Sequence, residues 1–281
     1  MAQEPDILEY TAFSDDPAGG NPAGVVLDAS GLDDAEMQAI ATRLDHAETA
    51  FVTGEPDGDV ELRYFSPIAE VPFCGHATIA TAVALAERRG AGLYRFRTAA
   101  GPIAIETRAD GGPVHAAFTS VDPVVEELPE AQLRDILALI GLGTDALDPE
   151  RPPRIANAGN PHPVVVLRDA ADFDGFAFDP AAARRLLDAN GWPATIAVLH
   201  AAGDGVYEAR NLFPVGRITE DPATGSAAAA VGGYLRALGL VAPPARVEIR
   251  QGRHIGRPGT LVVDIPPSGG ITVSGTAVTL A

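Results

Sequence analysis

Apolar positions along the chain predict strand-like runs interrupted by two kinds of helix. Over "DDAEMQAIATRL", Met37, Ile40, Ala41 and Leu44 recur on one face. Asp33 stands at the N-cap position with Glu36 three residues on, so the stretch reads as an amphipathic surface helix. "ETAFV" and "VELRYF" flank the turn-rich "TGEPDGD" and predict a β-hairpin. "CGHATIATAVALAERRG" has a different pattern: from Ala77 to Ala86 it is apolar on every side, and Arg88, Arg89 and Gly90 close it. A helix apolar all round has to be buried all round, and strands such as "LYRFRT", "PIAIET" and "VHAAF" are available to bury it. "GSAAAAVGGYLRALG" repeats the theme after strand-like "PVVVL" and "TIAVLH". "EELPEAQLRDILALIGL" and "PAAARRLLDANG" read as ordinary amphipathic helices with a structural role.

The chain says several things twice. Setting "EVPFCGHATIATAVAL" on "EDPATGSAAAAVGGYL" pairs Glu70 with Glu220, Cys74 with Thr224, Gly75 with Gly225 and His76 with Ser226, an offset of 150 positions. "GNPAGVVL" from Gly20 recurs as "GNPHPVVVL" from Gly159, an offset of 139, and "TAAGPIAIE" has a weaker echo in "RQGRHIGRPGTLVVD". Kept in this order, the echoes predict two copies of one unit, with far too long a period for a solenoid. The expected fold class is α+β: two pseudo-symmetric domains, each a curved, mostly antiparallel sheet wrapped around a central apolar helix.

With 46% apolar residues, 281 positions are enough for a packed core. A formal charge of −18 argues against nucleic-acid and anionic-membrane partners, because phosphate binding rests on basic side chains. All 20 basic residues are arginine, which removes lysine Schiff bases, lysine nucleophiles and the Walker lysine. A single cysteine, Cys74, excludes an internal disulfide and any multi-thiolate metal site. The N-terminal "MAQEPDILEYTAF" has no signal-like apolar stretch, and no segment reaches the length needed to span a bilayer, so the expectation is a cytoplasmic protein.

Polar chemistry gathers at the starts of the two apolar helices. The first turn of a helix carries unpaired N–H groups and the positive end of the dipole, and Gly75 and Gly225 allow an anion to approach closely. If the two halves face each other across a cleft, both starts can grip one carboxylate. Thr224, Ser226 and Asp221 are also common capping residues, which is the purely structural alternative.

"GNPAGVVLD", "ETAFV", "CGHAT", "GNPH", "EDPATGSA" and "QGRHIGRPG" occur in the order seen in the PhzF-like phenazine biosynthesis family, and the chain resembles that family from about residue 8 to residue 262. The resemblance implies a diaminopimelate epimerase-like fold, with residues 1–117 plus 270–281 as one domain and 118–269 as the other. It implies a homodimer that works without cofactor or metal as an isomerase moving a proton on a small carboxylate-bearing substrate, for example of the dihydro-hydroxyanthranilate type. Glu48 is then the general acid/base. Asp221 and His76 join it as catalytic candidates lining the pocket, and Gly75, Cys74, Thr224, Gly225 and Ser226 bind substrate. The epimerase relatives use two opposed cysteines, whereas here the partner of Cys74 is Thr224, whose hydroxyl is far too weak an acid to serve as a second base. His46 and Ala47 stand before Glu48 where the family pattern has Asn or Leu and then Ser.

The residues also speak for Glu48 directly. It opens a strand in which Ala50 and Val52 share its face, which places a carboxylate at the end of an apolar row and favours a raised pKa. His115, His162, His200 and His254 show no metal-ligand spacing and read as surface or satisfied core residues. The runner-up functions are an amino-acid epimerase or racemase, a Ser226 hydrolase and a non-catalytic small-molecule-binding member of the family.

Overall fold

Strands dominate the chain: seventeen of them, with six α-helices, occupy residues 5–215 and 218–280, which the computed structural model describes. The first four residues of the N-terminal stretch read above lie outside the described residues, as do positions 216, 217 and 281. The fold is mixed α/β, and its backbone divides into two units, Met1–Thr119 with Ser274–Ala281, and Ser120–Val273. No described helix is long and apolar enough to cross a membrane.

The first unit contains β1 (Ile7–Ala12), β2 (Asn21–Val26), α1 (Asp34–Leu44), β3 (Glu48–Gly54), β4 (Val60–Phe65), β5 (Glu70–Val71), α2 (Gly75–Arg89), β6 (Leu93–Thr98), β7 (Gly101–Arg108) and β8 (His115–Thr119). The second contains β9 (Val124–Glu127), α3 (Glu130–Leu139), β10 (Arg154–Asn157), β11 (Pro161–Leu167), α4 (Ala170–Gly175), α5 (Pro180–Asn190), β12 (Ile196–Gly203), β13 (Val206–Val215), β14 (Ile218–Asp221), α6 (Gly225–Ala237), β15 (Ala245–Gln251) and β16 (Gly259–Ile265). The last strand, β17 (Thr272–Thr279), pairs with β1 and β8 of the first unit.

Strand pairing repeats step by step. In the first unit β1–β2 is antiparallel, β2–β3 parallel, β3–β4 antiparallel, β4–β5 antiparallel, β4–β6 parallel and β6–β7 antiparallel. In the second, β10–β11, β11–β12, β12–β13, β13–β14, β13–β15 and β15–β16 follow the same sequence of directions. Each parallel step skips over a helix, as parallel pairing requires a crossover. The helix between β5 and β6 is α2, and the one between β14 and β15 is α6. The weakest sequence echo therefore relates two equivalent hairpins, β6–β7 and β15–β16.

Every residue of α2 from His76 to Ala86 is buried, and the helix packs against β1, β2, β3, β7 and β8. Within α6, Ala227 to Leu235 are likewise buried, against β9, β10, β11 and β16. Small residues are used here because the neighbours are close. A methyl group on Gly233 would lie 2.4 Å from Pro123 Cβ and 2.7 Å from its Cγ. Ordinary helix propensity favours alanine over glycine by about 1 kcal/mol, yet overpacking a filled core costs about 1–3 kcal/mol. Gly233→Ala is therefore expected to lower the urea unfolding midpoint, and a raised midpoint would show that Pro123 moves aside freely.

α1 has the capping box read from the sequence: Glu36 N donates to Asp33 Oδ1 and Asp33 N donates to Glu36 Oε2, both at 2.9 Å. Met37, Ile40 and Ala41 bury its apolar face, and Leu44 adds to it. Strand β3 has the apolar row expected beside Glu48 and is buried on its other face as well. Thr49, Ala50, Phe51 and Val52 are all buried, not only the two residues sharing the face of Glu48. Both α1 and α2 pack on this strand, so it is covered from two sides.

Candidate functional site

The first set of predicted residues meets at the start of α2. Glu48 stands at the first residue of β3, opposite Ala23 of β2. Cys74 is the N-cap of α2, and its Sγ lies 3.4 Å from Glu48 Oε2 and 3.3 Å from His76 Nδ1. His76 Nε2 lies 3.5 Å from Glu48 Oε2. Burial pushes the His76 pKa down to about 3, helped by the charge of His46 and opposed by a hydrogen bond to the Pro22 backbone. The contact with Glu48 is thus between a carboxylate and a neutral imidazole, not an ion pair. His46, which precedes this group in sequence, is turned to Glu9 at 2.6 Å. The ligating atoms of Glu48, Cys74 and His76 lie within 4.8 Å of one another, so these three side chains are the ones among the described residues that could hold a metal ion.

The second set lies at the start of α6. Thr224 is the N-cap, but its hydroxyl donates to Asp221 Oδ2 at 2.5 Å and accepts no N–H from the first turn of its own helix. Cys74 does not cap α2 by its side chain either. The surface helices α1 and α5 differ, since Asp33 and Asp179 do turn onto their first turns. The structural alternative of simple capping therefore fails for Thr224, and the two buried helices begin with backbone donors that their own N-cap side chains leave alone. Gly75 and Gly225 are the first residues of these helices.

Two partners of this second set escaped the sequence reading. Gln251, 2% exposed at the end of β15, receives Thr224 N on Oε1 at 3.2 Å. Its Nε2 donates to Asp221 O at 2.6 Å and to Thr224 Oγ1 at 2.9 Å. His162 is wholly buried and places Nε2 3.1 Å from Ser226 Oγ. His162 is a core residue with both ring nitrogens hydrogen-bonded, as the sequence reading allowed, and strand β11 carries it to the start of α6. Burial pushes its pKa down to about 4, against the hydrogen bond to the Thr195 backbone. The remaining histidines lie elsewhere: His115 is exposed, His200 Nδ1 faces Leu167 O at 3.2 Å, and His254 Nε2 faces Asp174 at 3.1 Å.

Strand register shows how the halves differ chemically. Val25 pairs with Ala50, and Val164 pairs with Ala197, so Glu48 and Thr195 occupy matched positions, as do Ala23 and His162. The carboxylate of the first half is replaced by a hydroxyl in the second. The imidazole comes from helix α2 in the first half, where the strand has Ala23, and from strand β11 in the second, where it meets Ser226 of the helix. A third matched pair is ionic. Arg63 holds Glu70 with two hydrogen bonds of 2.7 and 2.8 Å, and Arg210 holds Glu220, its Nη2 2.5 Å from Oε1. The first pair is open to solvent, whereas the second is 7% and 6% exposed, with Phe176 stacked 3.6 Å from the guanidinium carbon.

Residues 10–281 match the profile of the PhzC-PhzF family, described as phenazine biosynthesis-like protein. The uncharacterized isomerase YddE of Salmonella typhimurium is 33% identical over 288 residues, covering 99% of this chain and 97% of its own. The trans-2,3-dihydro-3-hydroxyanthranilate isomerase of Pseudomonas chlororaphis is 34% identical over 249 residues, covering 88% of this chain and 85% of its own. Among solved structures, the PhzF-family phenazine biosynthesis protein of Bacillus anthracis superposes with a TM-score of 0.86 at 27% identity, covering 98% of this chain and 96% of that one. Matched over nearly its whole length by sequence and by fold, and related to enzymes named isomerases, this chain belongs to the PhzC-PhzF phenazine biosynthesis-like family.

Proposed function

We propose that the protein is a cofactor-independent isomerase that moves a proton on a small carboxylate-bearing substrate of the dihydro-hydroxyanthranilate type, with Glu48 as the general acid/base. The observation that carries this reading is the asymmetry of the matched positions: Glu48, set against Cys74 and His76, has the hydroxyl of Thr195 as its counterpart. Cys74 likewise has Thr224. One half supplies a carboxyl group and a thiol and the other supplies hydroxyls, which suits a single base acting twice. The carboxylate takes a proton from a substrate C–H bond, and the electron pair spreads into the adjoining conjugated system. The carboxylic acid then returns the proton to a different carbon on the same face. Neutral His76 and the Cys74 thiol border the carboxylate throughout.

Turnover in heavy water tests the single base. Deuterium should arrive on one face of the product only. Delivery to both faces would require a second base and would favour the epimerase reading.

Cys74 is expected to be dispensable, since a thiol donor 3.4 Å from the carboxylate is a weak hydrogen-bond partner. Cys74→Ala should keep turnover within about tenfold of the parent, the scale of one hydrogen bond. A loss of about a thousandfold in a folded variant would instead assign the thiol a proton-transfer step.

A further inference from the structure

The sulfur, nitrogen and oxygen atoms gathered at the start of α2 are spaced as the ligands of a single ion. A zinc-type cation with bonds of about 2.0–2.3 Å at tetrahedral angles puts its ligand atoms about 3.3–3.7 Å apart. Here Cys74 Sγ is 3.4 Å from Glu48 Oε2 and 3.7 Å from His76 Nε2, and Nε2 is 3.5 Å from Oε2. The three atoms form one face of such a tetrahedron with little movement of any side chain. The other ring nitrogen, Nδ1, meets the same spacing at 3.3 Å from Sγ. The hydrogen bond from the ring to the Pro22 backbone occupies one nitrogen and leaves the other for an ion, the arrangement that orients metal-bound imidazoles in general. Cys74 and His76 are both 7% exposed, whereas the Glu48 side chain at 19% leaves a way in from solvent.

The geometry points to Glu48, Cys74 and His76 as a binding site for one zinc-type divalent cation, held by a carboxylate, a thiolate and an imidazole with the fourth position left to water. Thiolate and imidazole select this class over magnesium and calcium, which take oxygen ligands. As the sulfur–metal bond forms, the S–H bond of Cys74 breaks and its proton passes to solvent; nothing is oxidised or reduced. The second half has no equivalent set, because the matched positions Thr195, Thr224 and Ser226 carry hydroxyls. A bound ion takes up the Glu48 lone pair that would receive the substrate proton, so it acts as an inhibitor and not as a cofactor. That consequence rests on the acid/base reading of Glu48, whereas the site itself does not.

Titration of the metal-free full chain with cobalt(II) chloride, followed by zinc chloride, tests the site apart from turnover. Cobalt should bind at one equivalent, with the visible bands of a four-coordinate ion and a near-ultraviolet thiolate-to-cobalt charge-transfer band. Zinc should displace it, and magnesium at the same concentration should not. Cys74→Ser keeps the size of the side chain and should abolish the charge-transfer band. It should also weaken zinc binding by more than about 100-fold, since loss of a mere outer partner of a metal ligand already costs about 10- to 100-fold. The parent spectrum decides the ligand class by itself should that variant not fold. No charge-transfer band in the parent, or unchanged zinc affinity in folded Cys74→Ser, overturns the inference. Zinc bound at one equivalent with turnover undiminished would uphold the site and remove Glu48 as the acid/base, so the two failures are distinguishable.

Discussion

Glu48→Gln is expected to lower turnover by about 100-fold to 10,000-fold while leaving substrate or analogue affinity within about threefold. Glutamine keeps the size of the side chain and one carbonyl oxygen, so the contacts to Cys74 and His76 at 3.4 and 3.5 Å have a near-isosteric replacement. What disappears is the proton that must leave one carbon and return to another. The interaction lost is one made along the reaction path, so kcat carries the effect and binding does not. Single-turnover rates and calorimetric affinities measured on the same preparation separate the two. Full activity in Glu48→Gln would falsify the acid/base assignment, and a parallel loss of binding would make Glu48 a ligand-holding group instead.

The second large effect concerns stability. Arg210 and Glu220 form a buried pair in which the guanidinium also donates to Phe176 O at 2.8 Å and Phe173 O at 3.3 Å. Removing one partner strands a charge away from water, and Arg210→Leu is expected to cost about 3–5 kcal/mol. The matched pair is the internal control. Arg63 and Glu70 are 30% and 41% exposed, so Arg63→Leu is expected to cost less than about 1 kcal/mol. Replacing Arg210 and Glu220 together with apolar residues should recover much of the loss, since no unpaired charge remains. Urea unfolding of the four proteins provides the comparison. Equal costs at Arg63 and Arg210 would show that burial does not control these pairs.

Local signals were legible wherever one segment carries its own reason. The capping box of α1, the hairpin across "TGEPDGD", and the unbroken apolar run of Ala77 to Ala86 all depend on neighbours within a few positions, and the structure contains each of them. The echoes at offsets of 150 and 139 reappear as equal strand pairings because a duplicated unit keeps its order of elements. Glu48, Cys74, His76, Asp221, Thr224 and Ser226 were named from motifs, and the fold brings the first residue of β3 to the start of α2.

Tertiary structure decided the rest, because it depends on which distant residues a fold presses together. His162 and Ser226 are 64 positions apart, and Gln251 is 27 positions from Thr224, so no periodicity connects them. Strand β3 is buried on both faces because α1 and α2 pack on it, which only three-dimensional packing brings about. The same holds for charge: two Arg–Glu pairs of similar sequence spacing differ in solvent exposure because Phe173 and Phe176 cover only one of them. A side chain's proton is likewise invisible in the sequence. Thr195, Asn211, His162 and Ser226 come into one chain of hydrogen bonds only through the fold.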